Sequence, residues 1–477
     1  MSYSISTFEK ELYDCNIYEI VKIVLREMEE RNNFAKGKVS THILSIAGPM
    51  IVAQLINVLY NVIDRIYIGR IPHTSTLAMG GLGICLPIIS IVIAFANLFG
   101  MGGAPLCSIA RGKGNNKEAE RIMGNAFCLL VLFGIGLMII GFLFKEKILW
   151  LFGASTHTFK YANDYLTIYL LGTVFVLIGL GMNSFINSQG FAKIGMMTVL
   201  IGAVLNIILD PIFIFVLNMN VKGAALATVL SQFVSALWTI HFLRSDQTIL
   251  KLKKECMYLN PYYVKRIFSL GTAGFMVGIT NSIVSIVCNS TLQLYGGDLY
   301  IAIMTIINSI REVVQLPAQG FGNASQPVLG YNYGAKEYKR VLSAIRFVTL
   351  LCFGTMFIIW VLITAFPQYF IKIFTHDPHI TKHAIIYIRL YFAGFFMQSL
   401  QICGLSVAVG LGKSKQAIFF SIFRKVIIVA PLTIILPRFI GIEGVFISEA
   451  ISNFIGGGAC YITMWFTIGK NLKKEIS

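Results

Sequence analysis

Ser45–Arg70, SIAGPMIVAQLINVLYNVIDRIYIGR, decides how the rest of the chain is read. It is long and apolar enough to cross a bilayer, because an α-helix needs roughly 20 residues to span about 30 Å of hydrocarbon. Yet it carries Pro49 near one end and Asp64 near the other. A carboxylate inside a spanning helix costs at least about 2.5 kcal/mol on insertion scales, so a chain that keeps one generally routes an ion or a proton past it.

Apolar stretches of this kind recur along all 477 residues, of which 56% are hydrophobic and 13% charged, with a mean hydropathy of +0.74. This composition excludes a soluble globular domain and predicts an all-α integral membrane protein. Twelve spans are expected, at about 43–69, 78–106, 119–144, 163–188, 194–217, 222–243, 264–294, 299–329, 340–366, 382–409, 415–436 and 443–468. Lys and Arg concentrate in the N-terminal tail, in the loops after even-numbered spans and at the C terminus, which predicts a plasma-membrane protein with both ends cytoplasmic. That distribution accounts for the net charge of +17 without a nucleic-acid partner. Nine cysteines are scattered with no CxxC pair, and they read as small packing residues, with neither a disulfide nor a metal site implied. Residues 1–38 are too charged to supply the apolar core of a signal peptide. Ser6 and Glu9 have capping-box spacing, so this segment is expected to be an amphipathic cytoplasmic helix.

The chain repeats itself at an offset near 220 residues. LSIAGPMIVAQLIN from Leu44 runs parallel to FSLGTAGFMVGITN from Phe268, and the loop GNNKEAER at Gly114 recurs as GAKEYKR at Gly334. GFAK at Gly190 recurs as GLGK at Gly410, Asp210-Pro211 as Ala430-Pro431, and GAALATVLSQF from Gly223 as GVFISEAISNF from Gly444. Several segments at one offset imply a duplicated six-span unit. An even number of spans makes it a parallel repeat around a central cavity, with a first lobe at 39–250, a second at 251–477 and a basic linker near 244–266.

In the first lobe, Asp64, Asp210 and Thr228 all fall roughly 8–10 Å below the outer surface at 1.5 Å per residue. Asn206 sits one turn before Asp210 on the same face, and Pro211 frees the carbonyl of Ile207. Two carboxylates, an amide, a hydroxyl and a free carbonyl suit a hard cation or a proton.

At these residues the sequence resembles the multidrug and toxic compound extrusion (MATE) transporters over about residues 40–470. PMIVAQLINVLYNVIDRIYIG, GNNKEAER, NIILDPIFIF at Asn206, GAALATVLSQ at Gly223 and PAQGFGNASQPVLGYNYGA from Pro317 carry the resemblance. It implies that Asp64, Asn206 and Asp210 form a cation-coupling site joined by Thr228, and that Pro49 lets the first helix bend as the site changes occupancy. It further implies a secondary active antiporter that exports organic, cationic, amphipathic compounds in exchange for Na⁺ or H⁺ by alternating access. No cofactor beyond that ion is expected, nor is enzymatic activity. A lipid-linked precursor flippase or a specific metabolite exporter of the same superfamily is the alternative reading.

The second lobe departs from the first. Cys288 and Ala430 stand where Asp64 and Asp210 stand, and no acid occurs between Phe268 and Leu294. Instead Arg424 and Lys425 lie in the eleventh span and Glu449 in the twelfth, so one of the two cations is expected to pair permanently with Glu449. Tyr60, Arg311 and Glu312 are expected to line the substrate cavity, where Glu312 would meet cationic cargo.

Two motifs lead nowhere. Gly412-Lys413-Ser414 mimics the end of a P-loop, but Val407 occupies the required first glycine, so ATP is not an expected partner. His376, His379 and His383 have spacing a metal could use, but they sit in an external loop with no fourth ligand. The expected partners are small organic molecules and membrane lipid, with the chain acting as a monomer.

Overall fold

The computed structural model describes residues 34–71, 75–373 and 378–476. The N-terminal helix expected over residues 1–38 lies outside these residues apart from its last few positions, as does His376 of the histidine motif. Twelve helices are long and apolar enough to cross a membrane: α1 Val39–Gly69, α2 Leu77–Gly112, α3 Asn116–Leu151, α4 Phe159–Ser188, α5 Ala192–Val216, α6 Val221–Arg244, α7 Pro261–Gly296, α8 Leu299–Gly334, α9 Tyr338–Ala365, α10 Thr381–Gly410, α11 Ser414–Ile440 and α12 Glu443–Lys474. No strand occurs among the described residues.

Most helices run past the apolar limits expected from the sequence, because polar ends need no hydrocarbon to stay helical. The GNNKEAER motif is therefore mostly helix: Asn115 caps α3 by accepting from the Glu118 backbone N–H at 3.0 Å, and only 113–115 are loop. The linker likewise shortens to 245–260, since Asn260 caps α7 and Pro261 opens its first turn.

Helix packing follows the repeat. In the first lobe α2, α3 and α6 pack on α4, and in the second α8, α9 and α12 pack on α10. These two hub helices are the most buried spans of the chain. α1 lies on α5 as α7 lies on α11, and the lobes meet through α2 on α7 and α1 on α8. These cross-lobe contacts lie toward the end where the chain enters at Phe34. Gly271 there sits against the Leu98 carbonyl, where a Cβ would come within 1.8 Å of the oxygen. Gly112 meets the Tyr331 carbonyl equally closely. Toward the other end Leu59 on α1 and Ile286 on α7 are exposed.

Both lead-in segments are strapped across the lobes. Arg340 on α9 donates to the carbonyls of Phe34 at 2.8 Å, Gly37 at 2.9 Å and Lys36 at 3.3 Å. Phe34 itself is buried, with the Arg111 guanidinium over its ring and Tyr331 edge-on to it. In the linker, Glu120 on α3 accepts from the Lys251 backbone at 3.2 Å and from the Lys253 ammonium at 2.7 Å, and Asn125 accepts from Asn260 at 2.7 Å. The Glu120 hydrogen bond holds the Lys253 ammonium above its ordinary range.

Candidate functional site

In the first lobe the fold gathers four of the residues singled out above. Asn206 and Asp210 lie one turn apart near the end of α5, where the helix passes Pro211 into a widened π turn over Ile212–Val216. Such turns recur at functional sites because they displace a backbone register inside an otherwise regular helix. The Asn206 amide donates to Asp210 Oδ1 at 3.3 Å and to Thr228 Oγ1 on α6 at 3.4 Å. Asp64 comes in from α1 as a neighbour of Asp210, close enough for the two carboxyls to act on each other electrostatically. Two neighbouring buried carboxylates repel each other, and a proton or a cation relieves that repulsion.

The cluster has more acceptors than donors. Asp64 Oδ1, Asp210 Oδ2 and Asn206 Oδ1 are buried with no hydrogen-bond partner. Among the described residues no ion pair reaches either aspartate, and Arg65, adjacent to Asp64 on its helix, makes none with it. Beside the cluster lies a small cavity of about 50 Å³, which Tyr60, Asn206 and Thr228 line together with Asn57, Asn183 and Ser231. Asn183 Oδ1 and Ser231 Oγ are also buried without partners.

The second lobe builds its charge cluster at the matching place. Arg424 donates to Glu449 Oε1 at 2.8 Å, to Asn453 Oδ1 at 2.7 Å and to Ser452 Oγ at 3.3 Å. Lys425 reaches the same Glu449 oxygen at 3.1 Å. Consecutive residues on an ideal α-helix point about 100° apart. Here Phe423–Val429 form a π turn, and from it both cations reach one acceptor. The expectation of one cation on Glu449 thus understates the cluster.

Arg311 and Glu312 on α8 do not share a cavity with Tyr60. They line a second-lobe cavity of about 310 Å³ with Lys425, Glu449, Cys288 and Tyr391, and Arg311 stands 3.9 Å from Glu449. Pro49 lies inside α1, which is an unbroken helix over its length.

Sequence reasoning missed Tyr165, which is buried on α4, as well as Asn183, Ser231 and Asn453. Ser231 could have been found, since it lies three residues after Thr228 on one helix face; likewise Asn453 lies four after Glu449. Tyr165 could not, because α4 is buried nearly all round and gives no polar stripe.

The MatE family model matches residues 49–212 and 273–435. The multidrug export protein MepA of Staphylococcus aureus (strain NCTC 8325 / PS 47) is 24% identical over 431 residues, covering 89% of this chain and 93% of that protein. Among solved structures, a MATE protein in the bent conformation superposes with a TM-score of 0.88 at 21% identity over 94% of this chain and 99% of that one. The outward-facing conformation of a multidrug resistance MATE family transporter of the MOP superfamily gives a TM-score of 0.86 at 22% identity, over 92% and 98%. The two matched segments take in more than half of the chain, and on that match it belongs to the MatE family, the multidrug and toxic compound extrusion transporters.

Proposed function

We propose that this protein is a secondary active exporter of organic, cationic and amphipathic compounds, driven by inward movement of Na⁺ or H⁺ through the Asp64–Asn206–Asp210–Thr228 cluster. The observation that carries this reading is the three buried, unpartnered oxygens of Asp64, Asn206 and Asp210, with no ion pair to either aspartate among the described residues. Leaving such a site charged in a membrane is costly, so a mobile cation or proton is its natural complement.

Occupancy then controls shape. Filling the site removes the repulsion between α1 and α5. Ser45 already lacks an intrahelical amide partner, because Pro49 has no N–H to offer it, so α1 can bend there at little cost. Cargo and ion compete for one conformational equilibrium, as alternating access requires. The distribution of Lys and Arg supports a plasma-membrane orientation with both chain ends cytoplasmic. In that orientation the end where the lobes meet, with Gly112 and Gly271, faces the cytoplasm.

Asp210→Asn should abolish efflux of a lipophilic cationic dye from cells while the protein still inserts at normal levels. Normal efflux by that variant would refute the coupling role. In proteoliposomes, dye transport driven by a Na⁺ gradient at fixed pH, compared with a pH gradient at fixed Na⁺, identifies the ion.

A further inference from the structure

We propose that the second-lobe cavity is a binding subsite for the carboxylate of a transported molecule, held by Arg311 and Lys425. The inference goes beyond the export reading and leans on it only in treating the bound molecule as cargo.

The argument begins with a charge imbalance. Arg424, Lys425 and Arg311 converge on a single oxygen, Glu449 Oε1, at 2.8, 3.1 and 3.9 Å. One carboxylate balances one of them. Arg424 is the natural partner, because its side chain is 1% exposed and sealed in by Ser452 and Asn453. It does not line the cavity, whereas Arg311 and Lys425 do. Those two are therefore the surplus.

Hydrogen-bond satisfaction points the same way. Arg311 Nε, Arg424 Nε and Asn453 Nδ2 are buried donors with no acceptor. An ammonium carries three N–H groups, and Lys425 shows one bond, to Glu449. Buried donors of this kind are satisfied in nearly every native structure, so the cluster is short of an oxygen acceptor.

The surroundings fit such a ligand. The cavity of about 310 Å³ has room for an organic group, and Asn281, Ser282, Ser285, Asn308 and Tyr391 add neutral hydrogen-bonding side chains around the two cations. Glu312 also faces the cavity and opposes an anion. It is the most exposed of the five charged groups, which still sum to +1. A guanidinium presents two parallel N–H groups that match the two oxygens of a carboxylate, which makes Arg311 the specific element and Lys425 the point charge beside it.

The class of cargo this adds is a molecule with a cationic or aromatic body and a carboxylate. A matched dye pair tests it: rhodamine 110, a zwitterion with a free carboxylate, and rhodamine 123, its methyl ester. Equilibrium binding of each to purified full-length protein in nanodiscs is read by fluorescence polarisation. The wild-type protein should bind the acid tighter than the ester by about tenfold or more, and Arg311→Gln should collapse that ratio toward one, as loss of a buried charge partner does at other interfaces. Lys425→Gln is the second variant and should lower the ratio in the same direction. Equal affinity of the wild-type protein for both dyes overturns the proposal whatever the variants do. An unchanged ratio in a folded Arg311→Gln protein overturns it as well. Neither result touches the export reading, which stands or falls on ester efflux by Asp210→Asn.

Discussion

At the end of α5 and the start of α6, Asp210 and Thr228 sit with Asp64 and no cation; at the equivalent places in α11 and α12, Ala430 and Glu449 sit with Arg424, Lys425 and Arg311. The first cluster lacks donors: its orphaned atoms are the oxygens of Asp64, Asn206 and Asp210. The second lacks acceptors: its orphans are the nitrogens of Arg311, Arg424 and Asn453. A duplicated fold has thus kept one buried polar position per lobe and reversed its sign. The lobe with built-in cations can hold its acid permanently, while the lobe without them has to borrow positive charge. That asymmetry is the physical reason for placing ion coupling in the first lobe.

The largest effect that would break this comparison comes from neutralising the acid on each side. Glu449→Gln leaves Arg424 and Lys425 buried with only an amide in place of their carboxylate, and removal of one partner from a buried ion pair costs about 3–5 kcal/mol. Thermal unfolding in detergent should show that loss, and Lys425→Met/Glu449→Gln should recover part of it. Asp210→Asn removes a charge that has no counter-cation, so it should leave the melting temperature unchanged or raise it while abolishing efflux. If Asp210→Asn destabilised as strongly as Glu449→Gln, the first cluster would be a structural pair and the contrast between lobes would fail.

Much of this was legible in the chain itself. Twelve spans, the repeat offset, and the depth shared by Asp64, Asp210 and Thr228 follow from counting residues at a fixed rise per residue, because hydrocarbon thickness fixes helix length. What escaped is what a regular helix hides. Arg424 and Lys425 point apart on an ideal α-helix, and only the π turn over Phe423–Val429 lets both reach Glu449. Arg311 is some 110 residues from Arg424 in sequence, and no periodicity links α8 to α11. The division of Tyr60 from Arg311 and Glu312 into two cavities depends on how the lobes sit, which no stretch of either lobe encodes alone.

A smaller effect sharpens the comparison at the packed end, where the lobes mirror each other again with opposite polarity. The lead-in to α1 is held through its carbonyls by Arg340 of the second lobe, and the lead-in to α7 through a backbone N–H and a lysine by Glu120 of the first. Arg340→Gln removes charge-assisted bonds to three carbonyls and releases the segment that carries buried Phe34. Hydrogen bonds to charged groups are worth about 1.5–3 kcal/mol, so the variant should lose stability on that scale. Residues 34–38 should also become open to limited proteolysis. Arg340→Lys, which keeps the charge but not the fork, should fall between. An unchanged proteolysis pattern in Arg340→Gln would show that Phe34 packing alone holds the segment.

The smallest expected effect concerns the ion pair between Glu118 on α3 and Arg266 on α7, 3.1 Å apart and partly exposed on both sides. Partly exposed pairs are worth about 0.2–1 kcal/mol, so Glu118→Gln should barely move the melting temperature. Its use lies elsewhere, because the pair joins the lobes at the packed end and must break when that end opens. A destabilisation too small to see in unfolding is still enough to change a two-state ratio severalfold. Glu118→Gln should therefore slow or weaken formation of a cysteine cross-link between α2 and α7 at this end, with no loss of folded protein. If cross-linking were unaffected while Arg340→Gln reduced it, closure would rest on the lead-in straps and the glycine contacts, and the electrostatic contrast between the lobes would be confined to their interiors.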